Sequence, residues 1–292
     1  MPHVGRIGLA YFASPKGKIL TEMTVTRLAK NDFLLMTGAG AYWHDRDLLM
    51  ASLPAGGLVT INDVTRNLAT LLVTGPKAPA ILADMTGQSM THDDFVWLSH
   101  RKIDLANCQA NVIRVSFAGE AGFEIHCQMD DVVAVYDAVM AAGAAHQLRP
   151  FGMLALDSMR LEKGYRSWKS DLTSDYTMFD SGLGRWVNFN KDDFVGRAAL
   201  QAEKQAGSQG EFVTLTLDDP DDGAPFGEAV YLSNVSIDGA DAGLVVSAGY
   251  GHRVGASIAM AVVDSQALAN AKDISVLVLG RKRRATVVEG SV

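Results

Sequence analysis

Two segments of the 292-residue chain carry the side chains that chemistry could use. In the first, residues 114–126, two runs of strand-forming residues meet at a Gly-x-x-Gly corner, and Glu124 stands between Phe123 and Ile125. Side chains alternate along a strand, so Glu124 points away from the core if its two neighbours face it. In an open antiparallel sheet such a residue usually meets solvent, and the local sequence alone favours that interpretation.

The second segment, residues 149–166, is predicted to be a helix followed by a short loop. Asp157 and Arg160 are three residues apart, which places them on one helical face where they can form an ion pair. In most proteins a pair of this kind is structural. Gly164 is expected to end the helix, and residues 165–168 then form an aromatic and cationic loop.

Several common cofactor and catalytic motifs are absent from the sequence. Residues 38–40 (Gly-Ala-Gly) resemble a dinucleotide loop, but the third glycine is missing and Trp43 stands where the backbone would approach a pyrophosphate. The seven histidines show no zinc spacing, and there is neither a phosphate loop nor a serine-hydrolase elbow. His126 and Cys127 are adjacent, so strand alternation puts them on opposite faces. We expect no metal site and no flavin or nicotinamide site in this chain.

The composition is that of a globular protein with no nucleic-acid or membrane partner. The chain is 48% hydrophobic and 20% charged, and its net charge of -7 disfavours general electrostatic binding to nucleic acid or anionic lipid. No run reaches the roughly 18 to 20 apolar residues of a membrane span. Cys108 and Cys127 are too few for a disulfide framework, and residues 1–6 lack a signal-peptide core. We expect reduced cysteines and a cytoplasmic or mitochondrial-matrix location.

The order of predicted elements indicates an α+β body followed by a small all-β lobe. The polar stretch Lys204–Gly210 is the best linker, which divides the chain into domains at 1–203 and 211–292. The basic run Arg281–Arg284 lies between two apolar runs and is expected to be the solvated end of a strand. The predicted helices are 41–53, 131–144 and 153–163, and the predicted strands are 7–12, 19–28, 33–36, 68–73, 112–117, 123–127, 212–217, 229–232, 244–247, 257–263 and 274–279.

Four motifs, spread in order over nearly the whole chain, resemble the folate-binding T-protein of the glycine cleavage system. Ser116–Ile125 is similar to the T-protein signature, and Arg149–Arg166 is similar to a second signature as it occurs in dimethylglycine and sarcosine dehydrogenases. Val195–Leu200 and Ser247–Ala259 resemble two later segments, the second in the terminal β lobe. The resemblance implies a multi-lobe α+β T-protein fold with a C-terminal β-barrel or jelly-roll-like lobe.

The resemblance also implies roles for six residues. Glu124 falls on a strand glutamate that hydrogen-bonds the pterin, whose adjacent ring N–H and amino donors match the two oxygens of one carboxylate. Glu22 falls on the family's catalytic carboxylate, usually an aspartate and here longer by one methylene. The other four are an aromatic residue lining the pterin pocket, an arginine near the site and two aromatic residues at its border: Phe117, Arg160, Tyr165 and Trp168.

The implied function is tetrahydrofolate-dependent transfer of a one-carbon unit from a small amine. The donor would be a methylated amine such as dimethylglycine, or an aminomethyl compound, and the product 5,10-methylenetetrahydrofolate. Two alternatives stay open. One is a non-catalytic folate-binding subunit of a flavin-dependent dimethylglycine or sarcosine dehydrogenase complex, and the other is a folate-dependent O- or S-demethylase on the same fold.

The resemblance places the start of this sequence inside the folate module, and in dimethylglycine dehydrogenase a flavin domain precedes that module. Apolar residues alternate on both faces of the first predicted strand, Ile7–Phe12, so both faces are expected to have neighbours. We therefore expect either a partner that carries the missing segment and the flavin, or self-association through this edge.

Overall fold

The computed structural model describes residues 1–218 and 232–288. The chain forms two compact units: unit 1 comprises Met1–Ala10 and Met23–Phe151, and unit 2 comprises Tyr11–Glu22 and Gly152–Val292. The chain therefore passes from unit 1 to unit 2 and back within its first strands. The domain division at 203 and 211 that the sequence suggested remains a prediction.

The three strands expected at the start of the chain are present. Strands β1 (Ile7–Ala13), β2 (Ile19–Ala29) and β3 (Asp32–Met36) form one sheet in that order, so β1 is an edge strand. Ile7 on this edge is buried, whereas Leu9 is 56% exposed. One apolar side chain of β1 is thus open to solvent, and the association through this edge remains a prediction. Helix α1 (Tyr42–Ala51) follows.

Unit 1 is built on a four-stranded antiparallel sheet with two helices. Its strands lie in the order β4-β7-β6-β5, and apolar side chains of one face pack with helices α2 and α3 into a single core. The strands are β4 (Leu68–Thr74), β5 (His100–Leu105), β6 (Cys108–Ile113) and β7 (Gly122–Gln128), and the helices are α2 (Ala78–Thr86) and α3 (Val132–Gly143). The fully buried members of this core include Leu82, Phe95, Val112, Phe123, Ile125 and Val135.

Unit 2 contains the predicted all-β lobe, which is a closed six-stranded barrel in the order β10-β11-β8-β13-β12-β9. Strand alternation fills its interior with a second apolar core. Helices α4 (Met153–Glu162) and α5 (Arg197–Ala206) precede the barrel, and α6 (Ser265–Ala269) follows β11. The barrel strands are β8 (Gly210–Leu217), β9 (Asn234–Ile237), β10 (Ala240–Gly251), β11 (Ala256–Asp264), β12 (Ile274–Val278) and β13 (Arg281–Val288).

Three expectations about individual elements need correction. The strand predicted at 112–117 runs from Cys108 to Ile113 instead, and the Arg114 guanidinium just after it donates to the backbone carbonyls of Thr91 and Phe95. The first half of the predicted linker is the last turn of α5, and only residues 207–209 connect it to β8. The basic run forms the first half of β13 instead of the end of a strand. The strand predicted at 229–232 lies outside the described residues except for its last position.

Among the described residues, no helix is long and apolar enough to cross a membrane. The same part of the chain holds no cluster of three or more His, Cys, Asp or Glu side chains that could bind a metal ion. Both cysteines are free thiols, with Cys127 buried in the core of unit 1 and Cys108 partly exposed.

Candidate functional site

Glu124 and His126 share one face of strand β7, and that face lies opposite the apolar core of unit 1. Phe123, Ile125 and Cys127 all point into this core, so alternation directs the other two side chains the opposite way. Both neighbouring strands pair with β7 in register: His126 is opposite Thr70 on β4 and opposite Asn111 on β6. The sheet therefore places polar side chains opposite His126, whereas Glu124 lies opposite Leu72 on β4 and Ile113 on β6.

His126 is the residue that distinguishes Glu124 from an ordinary solvated glutamate. The His126 side chain is 2% exposed, and its Nδ1 lies 2.9 Å from Thr70 Oγ1. Its Nε2 lies 3.3 Å from Glu124 Oε2, while the Glu124 side chain is 26% exposed. The angle at that contact is too poor for a hydrogen bond, so within the described residues the buried Nε2 has an adjacent acceptor but no hydrogen bond.

The row of polar side chains continues across the sheet. His100 Nε2 lies 2.9 Å from Asn111 Oδ1, and Asn111 is the strand partner of His126. Burial lowers the pKa of His100, which favours its uncharged form. The face around Glu124 therefore combines polar side chains beside His126 with the apolar Leu72 and Ile113 directly opposite Glu124.

The bend that precedes β7, residues 116–122, fixes the start of the strand and thereby the position of Glu124. Ser116 Oγ lies 3.0 Å from Thr74 Oγ1 and accepts a hydrogen bond from the Ala118 amide, which fixes the bend. A Cβ atom on Gly122 would lie 2.4 Å from Ser116 Cβ, so only glycine fits at the first residue of β7. Phe117 lies in this bend and is 37% exposed. Its contact with a pterin remains a prediction.

Glu22 lies on β2 in unit 2 and has a different environment. Burial raises the pKa of the Glu22 carboxyl, and a hydrogen bond from the Tyr11 hydroxyl opposes part of this rise. The pKa of Tyr11 is raised far above its usual range, first by burial and then by the charge of Glu22. Arg166 is close enough to Tyr11 for the two to interact electrostatically. Glu22 is thus a carboxyl group that keeps a proton more readily than a solvated glutamate does.

Arg160 on α4 is buried and nearly saturated with hydrogen bonds. Its Nε donates to Asp157 Oδ1 at 2.7 Å, which confirms the expected ion pair, and its Nη1 donates to Asp171 Oδ2 at 2.5 Å. Further donations reach Ser247 Oγ at 2.7 Å and the Tyr165 carbonyl oxygen at 3.1 Å. These contacts join helix, loop and barrel within unit 2. The predicted contact of Arg160 with folate remains a prediction.

Two more side chains of α4 attach the helix to the barrel, and sequence reasoning missed both. Ser158 Oγ donates to the carbonyl oxygen of Tyr250 at 2.6 Å. Glu162 is 7% exposed, and its Oε1 accepts from the Arg253 amide at 2.7 Å. The sequence did offer one signal for the Glu162 contact, a glutamate beside the apolar residues of a predicted helix. A glutamate buried in such a position needs a hydrogen-bond donor from elsewhere in the protein. The second signature segment is therefore, in large part, an anchor for the barrel.

The two aromatic residues after α4 differ in burial. Tyr165 is 38% exposed. Trp168 packs against the apolar cluster that includes Ile19 and Leu172, and its buried Nε1 has no hydrogen-bond acceptor among the described residues. Of the six predicted site residues, unit 1 contains Glu124 and Phe117, and unit 2 contains Glu22, Arg160, Tyr165 and Trp168.

Comparison with known proteins shows the family. Residues 2–191 match the GCVT N-terminal domain, and residues 211–292 match the glycine cleavage T-protein C-terminal barrel domain. The chain belongs to the glycine cleavage T-protein family, which includes the aminomethyltransferases. The expected T-protein fold is confirmed by the structure of aminomethyltransferase T of the glycine cleavage system from Bartonella henselae, which superposes with a TM-score of 0.83 at 23% identity and covers 99% of this chain and 76% of that one.

Two relatives illustrate the range of the family. The chain is 31% identical over 291 residues to mitochondrial dimethylglycine dehydrogenase of Homo sapiens, covering 99% of this chain but 33% of that protein. It is 26% identical over 282 residues to the aminomethyltransferase of Caldanaerobacter subterraneus subsp. tengcongensis, covering 96% of this chain and 72% of that protein. The chain thus spans about a third of the dehydrogenase and most of the aminomethyltransferase.

Proposed function

We propose that this chain binds tetrahydrofolate and transfers to it a one-carbon unit from a small amine. The observation that carries the proposal is the position of Glu124. It lies on a paired strand, on the face opposite the core, where the T-protein motif has its pterin-binding glutamate, and it is partly exposed. A solvated glutamate would not need the buried histidine that lies beside it.

The groups around Glu124 fit a pterin ring. A carboxylate has about four lone-pair positions on its two oxygens, so it can accept from two pterin donors and from a third group together. If the Thr70 hydroxyl donates to Nδ1 of His126, the ring nitrogen that lies beside Glu124 Oε2 is the N–H donor, Nε2. In this arrangement His126 orients the carboxylate, and Oε1 is left for the ligand.

Glu22 is the residue we assign to proton handling. Tetrahydrofolate supplies two nitrogen atoms that together replace the donor amine at the transferred carbon, which yields 5,10-methylenetetrahydrofolate and the released, protonated amine. The two folate nitrogens lose one proton each. The departing amine of an iminium gains both protons, whereas from an aminomethyl thioether the departing thiol takes one and the departing amine takes the other. A carboxyl group whose pKa is raised above its usual value exchanges protons at a higher pH than a solvated glutamate does, which suits both roles.

The proposed donor is an iminium derived from a methylated amine, or an aminomethyl compound. An iminium would require prior oxidation of the amine by a flavin, carried by another domain or polypeptide. Similarity to a dimethylglycine dehydrogenase supports the iminium as donor, and similarity to aminomethyltransferases supports the aminomethyl compound. The alternative of a folate-binding subunit without turnover is disfavoured by the environment of Glu22, because a purely structural carboxylate gains nothing from a raised pKa.

Two measurements test the proposal. Titration calorimetry with tetrahydrofolate measures binding, and absorbance detection of 5,10-methylenetetrahydrofolate measures turnover with formaldehyde plus dimethylamine, which form an iminium in solution, or with an aminomethyl thioether. Since formaldehyde also reacts with folate unaided, the rate must exceed that of a protein-free control. Binding with turnover supports the proposal, binding without turnover supports the non-catalytic subunit, and a chain that does not bind tetrahydrofolate contradicts both.

A further inference from the structure

Helix α1 of unit 1 buries a polar residue and exposes apolar ones. Asp45 is buried, where the Thr37 hydroxyl donates to its Oδ2 and His44 Nδ1 lies 2.8 Å from its Oδ1. Trp43, in contrast, is 69% exposed, and Met50 is exposed on the same helical face two turns later. Surface helices of globular proteins usually have the reverse pattern. The outward face of α1 therefore has the composition of a surface that another chain covers.

The segment that follows α1 continues this apolar face. Residues 54–67 are all exposed, and Leu58 among them is 91% exposed. Residues 58–62 form no hydrogen bond with the described part of the chain. The Tyr42 hydroxyl donates to the Asp63 carboxylate, which holds the end of the segment at the start of α1. Helix and segment thus form one surface, which we call the α1 surface, and its apolar members are Trp43, Met50, Leu58, Val59, Ile61 and Val64.

The segment has the residue types of a strand but no strand beside it. Residues 58–61 read Leu-Val-Thr-Ile, and β-branched residues of this kind favour strands. Backbone N–H and C=O groups that are left unpaired beside apolar side chains promote association with another chain. The α1 surface therefore has both properties of an interface, apolar side chains and free backbone groups.

The charges around the α1 surface indicate which chain covers it. Between Asp47 and Asp63 no charged residue occurs in a stretch of fifteen residues. The exposed charges at the two ends are balanced, with Arg46 and Asp47 before the stretch and Asp63 and Arg66 after it. An acidic partner, a basic partner or an anionic lipid surface would require one sign to predominate. A second copy of this chain carries the same balanced set, so the two sets can meet under two-fold symmetry without net repulsion.

Net charge and size also favour a second copy. Each chain has a net charge of -7, so two copies repel each other over most of their surface and approach most easily where charge is absent. An interface of standard size takes roughly 20–30 residues from each partner. Residues 42–67, which contain the whole α1 surface, are 26 in number.

We propose that two copies of this chain form a two-fold symmetric dimer through the α1 surface, with residues 58–62 of the two copies paired as antiparallel strands. A two-fold axis at the middle of this segment brings Thr60 opposite Thr60 of the second copy. The pairing gives the free backbone groups hydrogen-bond partners and removes Trp43 and Leu58 from water. The inference is independent of the proposed function, because the α1 surface contains none of the six predicted site residues.

Sedimentation equilibrium of the wild-type chain and of two matched variants tests this interface. The wild type should dimerise with a dissociation constant of roughly 1–100 μM. Leu58→Asp places a charge in the uncharged stretch at an exposed position, so it should raise this constant at least about tenfold without affecting the fold. Leu9→Asp is the control, because Leu9 is also an exposed leucine but lies on the β1 edge, and it should change the constant less than about twofold. Added salt should tighten the wild-type dimer, because it screens the repulsion between the two negative chains.

Cross-linking locates the contact in the dimer. Directly opposite residues of antiparallel strands have Cα atoms about 4.5–5.5 Å apart, which a disulfide can span. Mild oxidation should therefore join two copies of Thr60→Cys. It should not join the wild type, whose Cys108 is partly exposed, or Leu9→Cys.

A wild-type chain that stays monomeric up to about 0.1 mM overturns the inference. Dissociation of the dimer by Leu9→Asp and not by Leu58→Asp also overturns it, and assigns the contact to the β1 edge instead. If Leu58→Asp fails to fold, the cross-link decides, and Thr60→Cys that cross-links no better than Leu9→Cys removes the α1 surface from the interface.

Discussion

Glu124 in unit 1 and Glu22 in unit 2 are both strand glutamates, yet the two units treat their carboxyl groups differently. Glu124 has a buried histidine beside it and is partly open on a polar sheet face. Glu22 is partly buried, and burial raises the pKa of its carboxyl while the Tyr11 hydroxyl opposes part of that rise. The Glu124 carboxylate thus lies beside a histidine nitrogen that can donate to it. The Glu22 carboxyl lies in an environment that favours its protonated form.

This difference separates binding from proton transfer. A carboxylate that recognises two ligand donors works best as a fixed anion, because a bound proton would turn an acceptor into a donor. A carboxylate that exchanges protons works best when its pKa approaches the working pH. The two glutamates are therefore not interchangeable, although their side chains are identical. Variants at each position should separate affinity from rate.

The largest effect is expected for Glu22→Gln. The substitution keeps the shape of the side chain and removes its proton exchange, so the one-carbon transfer rate should fall by roughly a hundred- to ten-thousandfold. Tetrahydrofolate affinity should change less than about threefold, because the group acts in the reacting state. Single-turnover kinetics and calorimetry measure the two quantities. Glu211→Gln, on the exposed part of β8, is the matched control.

Glu22→Asp completes this test, because it restores the shorter carboxylate that the family usually has. It should keep much more of the rate than Glu22→Gln does. Equal rates for the wild type and both variants would remove Glu22 from the mechanism, and the function would then have to be folate binding alone.

Glu124→Gln should weaken tetrahydrofolate binding more than it slows the transfer, the reverse of the effect expected for Glu22→Gln. The amide places a donor opposite one of the pterin donors, and a mismatch at a partly buried pair costs roughly 1–3 kcal/mol, or about 5- to 150-fold in affinity for tetrahydrofolate. The rate at saturating folate should change much less. Asp104→Asn, an exposed carboxylate of the same sheet, is the control. An affinity equal to that of the wild type would show that Glu124 is only a solvated strand residue.

Local sequence rules were sufficient for the arrangement of Glu124. Alternation of Phe123, Glu124 and Ile125 predicts which of them faces the core, and the structure places both apolar residues at 0% exposure. The barrel was also predictable, because short apolar strands separated by turns leave few other folds. In both cases the decisive information lies within about ten residues of chain.

The contacts that define the environments of the two glutamates were not predictable from local sequence. The neighbour of His126 at Nδ1 is Thr70, 56 positions away, and the acceptor for Arg160 Nη2 is Ser247, 87 positions away. The Arg114 guanidinium likewise donates to the carbonyl oxygen of Thr91, 23 positions away. Such pairings depend on tertiary register, which periodicity does not contain.

A smaller effect is expected for His126→Phe, and it tests whether the histidine acts through Glu124. Phenylalanine preserves the volume approximately and removes both ring nitrogens, so the Glu124 carboxylate loses its orienting donor. Tetrahydrofolate affinity should fall by roughly three- to tenfold, the size expected for the loss of one close polar contact beside the carboxylate. His126→Gln, which keeps an N–H near the Nε2 position, should bind more tightly than His126→Phe.

The double variant His126→Phe/Glu124→Gln shows whether the two residues are coupled. If His126 only supports the sheet, His126→Phe should weaken folate binding by the same factor in the wild-type chain and in the Glu124→Gln variant. If it orients the carboxylate, the substitution has little further effect once the carboxylate is gone. Equal losses in both backgrounds would reduce His126 to a packing residue.

The smallest expected effect is a pH-dependent difference in stability between the wild type and Glu22→Gln. The pKa of Glu22 is raised in the folded chain, so folding favours the protonated form. Its contribution to stability is fully present below the pKa of the unfolded chain and is lost as the pH rises through the higher folded value. The melting temperature of the wild type should therefore decline relative to that of Glu22→Gln as the pH rises above about 4.5, the usual value of the carboxyl group. Scanning calorimetry over this range measures the difference, and Glu211→Gln should follow the wild type in parallel. A constant offset between wild type and Glu22→Gln would mean that Glu22 titrates as a solvated carboxylate, and the contrast with Glu124 would disappear.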